Sequence, residues 1–474
     1  MKISLISFDL EIFCFGIRML SACLKEKGYA VNCIFLPLRD EKKDKLHNFK
    51  TRYCEKILAD IKELCKDSDL IGMSLMTNQF MQAVKVTEYL KNNRVQAPII
   101  WGGIEPTVEP LDCLKYADIV CLGEGEEALL ELAERIAGGR PYFDTKNMWF
   151  RVKDDIIRNP VRPLVDDLDN LPLPDYSGEG HYIAWEGRLE TFTKERLSGF
   201  QGERFRSRDN RIKYPMMTSR GCPFSCTYCC NSVYERLYGK VKRLRFRSVE
   251  HVIRELDMIR EKVAPVDFVY FVDDNFTARS PEELKKFCEQ FKKRGGVPFF
   301  CQVSPLTINE EKMGILMANG CAKVTMGVET GTERISNMYN RGHFFKVHEK
   351  AISLIEGYRD RMKAPPSYQF IIDNPYETVG EMVETLKLAL KLRKPWNNSI
   401  YSLMLFPGTV LYEKGLADGL IKDMRSHVYE RNWHDHSLPF FQFWIRLYKL
   451  NAPRIILRFM LLPWVVNSFT KGRR

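Results

Sequence analysis

Twice along this chain, short apolar runs alternate with amphipathic segments of helical length, and a proline-punctuated acidic stretch separates the two blocks. In the first block the runs lie at residues 3–8, 30–36, 70–75, 97–101 and 119–122. Helical segments follow the same order at 17–27, 54–66, 78–93 and 126–137. Buried apolar strands alternating with amphipathic helices predict an α/β fold with a doubly wound, Rossmann-like parallel sheet. In the second block strands are expected at 214–219, 268–272, 299–303, 323–327, 367–372 and 399–405, each separated from the next by a helical segment. Six such units read as a partial (β/α)6 barrel, smaller than the closed eight-unit form. Both architectures place ligands at the carboxyl ends of their strands.

The separator runs Asp166-Asp167-Leu168-Asp169-Asn170-Leu171-Pro172-Leu173-Pro174-Asp175. Its prolines and charges mark an inter-domain connection. The expected organisation is a Rossmann-like domain over 1–145, a linker and insertion over 146–213, a partial barrel over 214–425 and a helical C-terminal extension over 426–474. A chain of 474 residues suits about three domains. Its 14 cysteines, with no secretory signal at the N-terminus, point to a reducing, cytoplasmic setting. The net charge is +11, with much of the basic excess between Lys194 and Arg247 and at the C-terminal end. That balance suits an anionic substrate, a membrane surface or, least expected of the three, nucleic acid; it is equally the mark of a solvated face. No apolar run reaches the ~20 residues of a spanning helix.

Just after the first strand of the second block comes Gly221-Cys222-Pro223-Phe224-Ser225-Cys226-Thr227-Tyr228-Cys229, a C-x3-C-x2-C run. Three close thiolates can hold three irons of a 4Fe–4S cube, which leaves the fourth iron open for chemistry. A zinc knuckle would need a second Cys/His pair to close a tetrahedron, and none lies nearby. Cys230 adjoins Cys229 and is geometrically a poor further ligand to the same site. Gly221 and Pro223 suit a tight loop. Tyr228 is placed to lay a ring over a bound nucleoside.

The cysteine run resembles the signature of radical S-adenosylmethionine (SAM) enzymes. The resemblance implies that Cys222, Cys226 and Cys229 hold a 4Fe–4S cluster, that SAM occupies the open iron, and that an electron splits SAM into methionine and a 5′-deoxyadenosyl radical. The first block adds to it. Gly102-Gly103-Ile104-Glu105-Pro106-Thr107 and Asp118-Ile119-Val120-Cys121-Leu122-Gly123-Glu124-Gly125-Glu126 resemble the two loops of the cobalamin-binding branch of that family. Glu105 stands where that branch usually has histidine. The Asp-x-His-x-x-Gly motif of base-off cobalamin proteins is missing. His47, the only histidine before residue 181, reads as a surface residue in a charged stretch. By position and resemblance, the expected cobalamin contacts are Ser74, Leu75, Gly102, Gly103, Gly123, Glu124 and Gly125.

Motifs also close the barrel strands: Asp273-Asp274, then Gly327-Val328-Glu329-Thr330-Gly331, then Asp373-Asn374-Pro375-Tyr376-Glu377, then Phe406-Pro407-Gly408. Carboxylates there can bind the ammonium, sulfonium and ribose of SAM. The expected SAM set is Tyr228, Asp273, Asp274, Glu329, Glu377, Phe406 and Pro407, and the competing role for Asp273, Asp274 and Glu377 is helix capping. The family often has Gly-x-Pro-x-Glu-Thr at the fifth strand, whereas this chain has Asp373 in place of the glycine. From 440 to the end, Trp444, Tyr448 and Trp464 mix with Arg and Lys. Such a segment either lies in a membrane interface or covers the open barrel.

The implied function is cobalamin-dependent radical methylation of an unactivated carbon, with a small-molecule or lipid-like substrate and an electron donor such as flavodoxin or ferredoxin. Two alternatives stand beside it: cyclisation or rearrangement within the same branch, and an iron–sulfur sensor that does not turn SAM over.

Overall fold

A computed structural model of the chain describes residues 1–9, 13–37, 53–193, 213–239, 244–263, 265–431, 434 and 436–470. His47, the basic stretch 194–212 and the basic end 471–474 lie outside the described residues.

The first block forms β1 (Lys2–Ser7), β2 (Ala30–Phe35), β3 (Leu70–Ser74), β4 (Ile99–Gly102) and β5 (Ile119–Cys121). They pair in parallel in the order β5-β4-β3-β1-β2. This is a doubly wound sheet whose order reverses between β1 and β3, where such sheets bind ligands. Every residue of β1 from Ile3 to Ser7 is buried, as a strand covered by helices on both faces requires.

The stretch expected as linker and insertion adds four strands to this sheet: β6 (Met148–Val152), β7 (Asp155–Arg158), β8 (His181–Trp185) and β9 (Arg188–Thr191). β6 joins β5 antiparallel and β8 joins β2 in parallel, so the sheet has nine strands. The proline-rich connection is itself anchored. Asp175 accepts from Ser21 Oγ at 2.6 Å, pairs with Lys25 at 2.8 Å and meets His181 Nε2 at 2.9 Å.

The second block forms β10 (Lys213–Met216), a two-stranded ribbon of β11 (Ser219–Arg220) and β12 (Arg245–Phe246), then β13 (Phe268–Phe271), β14 (Phe299–Val303), β15 (Cys321–Glu329), β16 (Ser367–Ile372) and β17 (Ser399–Ser402). The six strands β10-β13-β14-β15-β16-β17 are parallel and neighbours in chain order. That is the expected half-barrel. Its helices carry strong starts: Ser280 with Glu283 and Thr378 with Glu381 are reciprocal capping boxes, each satisfying otherwise orphaned N–H groups.

The C-terminal helix Pro439–Lys449 turns Phe440, Phe441, Trp444, Ile445 and Tyr448 inward. Tyr448 stacks on Trp396 at 4.4 Å, and its hydroxyl accepts from Asn398 Nδ2 at 2.6 Å. This inner face is core: the same hydroxyl donates to the Ala389 carbonyl at 3.2 Å, which seats the helix against the helix Val379–Lys391 and the segment leading into β17.

Candidate active site

The three cysteines leave β11 on a loop that a second segment clasps. Thr227 N donates to the Tyr339 carbonyl at 3.1 Å, Thr227 Oγ1 to that of Met338 at 2.7 Å, and Asn340 Nδ2 to that of Ser225 at 3.0 Å. Two of the sulfurs face donors: Arg341 Nη1 lies 3.4 Å from Cys226 Sγ, and Asn231 Nδ2 lies 3.6 Å from Cys229 Sγ. Donors aimed at sulfur suit thiolates bound to iron, whose potential responds to such hydrogen bonds. Burial pushes the Cys222 thiol up to about 12, a cost that a bound cation offsets by holding it as thiolate. Among the described residues, the one set of three ligand atoms within 4.8 Å of one another is Cys33, Asp175 and His181. Three thiolates on one short loop are the donor set that an iron–sulfur cluster takes.

Upstream, the loop is held by Asp273. Its carboxylate accepts from Thr218 N (2.7 Å), Thr218 Oγ1 (2.6 Å), Ser219 N (2.5 Å) and Ser219 Oγ (2.8 Å). Four donors fill it, and it is 1% exposed.

A cavity of about 560 Å³ opens between this loop and the carboxyl ends of β1, β3, β4 and β5. Ser74, Gly102, Gly103, Gly123, Glu124 and Gly125 line one side; Cys222, Asn231 and Asp274 line the other. Gly103 has φ +101°, and a Cβ there would meet the Leu75 carbonyl at 2.7 Å. Gly123 has φ +72°, and a Cβ there would fall inside the Tyr238 hydroxyl. Only glycine serves at these two positions. The cavity is mostly apolar in lining, at the topological switch point, and roomy enough for a cofactor. The residues present thus fit a corrinoid at the sheet side and a cluster at the loop side.

The family comparisons agree with this division. The Radical SAM superfamily matches residues 216–389 and the B12 binding domain matches residues 1–133. The chain is a radical SAM enzyme with a B12-binding domain. It is 26% identical over 378 residues to an uncharacterized methyltransferase of Pyrococcus horikoshii, covering 78% of this chain and 75% of that protein. It is 24% identical to the anaerobic magnesium-protoporphyrin IX monomethyl ester cyclase of Rubrivivax gelatinosus, spanning 54% of that protein's length. Among solved structures, the radical SAM methyltransferase TsrM of Kitasatospora setae, with cobalamin and a [4Fe-4S] cluster bound, shares the fold: TM-score 0.66 at 16% identity, covering 89% of this chain and 78% of that one. The cofactors of this radical SAM enzyme are accordingly a 4Fe–4S cluster, SAM and cobalamin.

Within the enzyme, the expected residues divide. Of the SAM set only Asp274 lines the cavity, where it accepts from Asn231 Nδ2 at 3.0 Å. Asp273 departs from expectation because the turn before the cysteines consumes its carboxylate. Glu329 ends β15 at φ +71°, and burial pushes its carboxyl up against the pull of Arg341 and Tyr228. Tyr228 meets Tyr339 edge-on at 5.0 Å. Glu377 is buried in the turn that follows β16, with burial pushing it up to about 8, and its Oε1 has no hydrogen-bond partner. It precedes the true N-cap, Thr378. Phe406 and Pro407 form a turn whose Gly408 packs on Val108 of the B12-binding domain, so that turn joins the two halves. On the sheet side Leu75 departs from expectation: it is 1% exposed and sits in the core behind the cavity.

Glu105 also faces away from the cavity. It is fully buried beside Thr77 and Tyr429 without a full hydrogen bond to either, and burial raises it to about 7. The departure from histidine is thus a feature of the packing against the turn at Arg425–Tyr429, not of the cofactor face. Asp373, standing where the family has glycine, takes φ +65°. It accepts from Ser402 Oγ (2.9 Å), Ser437 N (2.7 Å) and Ser437 Oγ. Its side chain ties the C-terminal segment to the barrel.

Motif reading missed an arginine pair. The β11–β12 ribbon sets Arg220 and Arg245 side by side on the rim. Arg245 holds Glu124 bidentately at 2.6 and 3.0 Å, and Arg220 reaches Glu126 at 2.5 Å. Burial alone would raise Glu124, but these arginines hold it below the usual carboxylate range. Tyr238 adds a contact, its hydroxyl accepting from Glu124 N at 2.9 Å. The Gly-Glu-Gly-Glu loop is therefore clamped by the radical domain.

Proposed function

We propose that this enzyme methylates an unactivated carbon, with Cys222, Cys226 and Cys229 holding the cluster, Ser74, Gly102, Gly103, Gly123 and Gly125 cradling cobalamin, and Asp274 and Glu329 contacting SAM. One observation supports it above the rest: a single cavity is bounded by the glycine loops of the B12-binding sheet on one side and by Cys222 and Asp274 on the other. When bound, these groups supply reductive cleavage of SAM and transfer of a methyl group. The chain's own residues do the positioning. Asp273 fixes the turn ahead of the cysteines, the segment 338–341 fixes the turn within them, and the Arg245–Glu124–Arg220 clamp keeps the two halves of the cavity in register. The apolar lining excludes water from reactive intermediates.

The enzyme takes electrons from a reductant and acts on a small molecule, as radical SAM enzymes do; flavodoxin or ferredoxin and a lipid-like acceptor are the finer reading. The test is anaerobic incubation of reconstituted protein with SAM, cobalamin and reductant. Methyl transfer yields both 5′-deoxyadenosine and S-adenosylhomocysteine. Relatives named as cyclases keep one alternative, cyclisation or rearrangement, which yields 5′-deoxyadenosine alone. Neither product from protein replete in iron would refute both.

A further inference from the structure

The C-terminal helices have a second face that the enzyme's chemistry does not use. Helix Pro439–Lys449 buries one stripe, and on the opposite stripe Phe443, Arg446 and Leu450 recur at helical spacing. Helix Arg454–Met460 buries only Leu457, and helix Pro463–Thr470 only Val465, Val466 and Thr470. Their outward side chains are large: Leu450 is 78% exposed, Ile455 77%, Phe469 69%, Trp464 62%, Phe443 55% and Phe459 51%. Eight of the 17 exposed large hydrophobics among the described residues fall between 443 and 469. Single exposed apolar residues are ordinary, but a cluster of this density marks an interaction surface.

The charge around it says what kind. From His436 to Arg474 the sequence has seven Lys and Arg and not one Asp or Glu. Elsewhere the chain is rich in acids, 61 in all, so a 39-residue stretch without one is a local property. Arg446, Lys449 and Arg458 are exposed among the apolar side chains. No helix of the described residues is long and apolar enough to cross a membrane. Aromatic and aliphatic groups interleaved with cations on short helices suit the headgroup level of a bilayer, where rings partition and cations meet phosphate. A protein partner covering so basic a face would need matching acids of its own; a second copy of this face has none to offer.

We propose that the outer face of helices 439–449, 454–460 and 463–470 docks on an anionic phospholipid surface, holding the enzyme at a membrane without spanning it. The inference stands on this face alone and survives if methyl transfer fails.

Co-sedimentation of the cluster-loaded full chain with phosphatidylglycerol vesicles tests it, with phosphatidylcholine vesicles as control. Binding is expected to phosphatidylglycerol only, at about 0.1 M salt, and to be lost near 1 M, where the screening length falls to about 3 Å. The triple variant Arg446→Gln, Lys449→Gln, Arg458→Gln is expected to bind on the order of 100-fold more weakly. The triple variant Ile455→Ser, Phe459→Ser, Trp464→Ser should lose binding while its iron content and circular dichroism stay unchanged. Equal binding to both lipids, or none to either, overturns the proposal. So does light scattering that shows a dimer which the serine variant converts to monomer, because the face would then be covered by a second copy.

Discussion

Arg341 offers the sharpest test of the cysteine loop. It is 7% exposed, its guanidinium stacks 3.8 Å over Phe344, Nη2 donates to the Gly327 carbonyl at 2.9 Å and Nη1 to Cys226 Sγ at 3.4 Å. A unit charge roughly 4 Å from a sulfur is worth about 4 kcal/mol at an effective dielectric constant near 20. An electron entering a cluster spreads over the whole cube, so about half of that, roughly 2 kcal/mol, bears on its reduction. At about 1.4 kcal/mol and 59 mV per tenfold, the shift is on the order of 90 mV. The sign follows from the charge: a nearby cation favours the more negative, reduced state. Arg341→Met should therefore move the potential about 90 mV more negative. Arg341→Lys keeps the charge but loses the planar fork, and should shift it by less than half as much. The assay is an anaerobic redox titration followed by electron paramagnetic resonance, with iron quantified in each variant. A methionine variant that retains full iron and titrates within about 20 mV of the parent would refute the reasoning, as would a shift to more positive potential.

Three further outcomes are expected. Glu105 is raised from 4.5 to about 7 by burial, so its stabilising neutral form is fully present below pH 4.5 and lost as pH rises through 7; Glu105→Gln should melt higher than the parent at pH above 7, by about 3 kcal/mol, and equally near pH 4.5. Gly123→Ala must hold a left-handed backbone and displace Tyr238, and should lower stability by about 2 kcal/mol or more in thermal melts; unchanged melting would show that the loop relaxes freely. Asp373→Ala loses the anchor to Ser437 yet keeps the strained φ; trypsin should then cut after Arg431, and Asp373→Gly, which relieves the backbone, should be more stable than the alanine variant by about 1 kcal/mol.

Much of the fold was readable in one dimension because its signals are local. Apolar strands buried on both faces, helices of period 3.6 and capping boxes at Ser280 and Thr378 all sit within one segment each. The cysteine run is legible for the same reason, since a loop of eight residues contains the whole ligand set. Even there, the strand-end carboxylates were ambiguous. Asp273 and Asp274 are neighbours in the chain, yet one is spent on Thr218 and Ser219 and the other faces the cavity, because successive residues leaving a strand point to opposite sides.

The rest rests on pairs distant in the chain. Arg245 meets Glu124 across 121 positions, Arg341 meets Cys226 across 115, and Ser437 meets Asp373 across 64. Residue type announces that a buried charge needs a partner, but not which one. Short-range periodicity and ligand spacing are written in the order of residues, so the five parallel strands of the first sheet, the six of the second, the cysteine loop and the glycine turns followed from the chain as read, whereas β6 to β9, in the stretch read as linker, did not. Which carboxylate stays open, which glycine cannot be replaced and which face of the last helices stays bare depend on how the two domains pack together, and that exists only in the folded molecule.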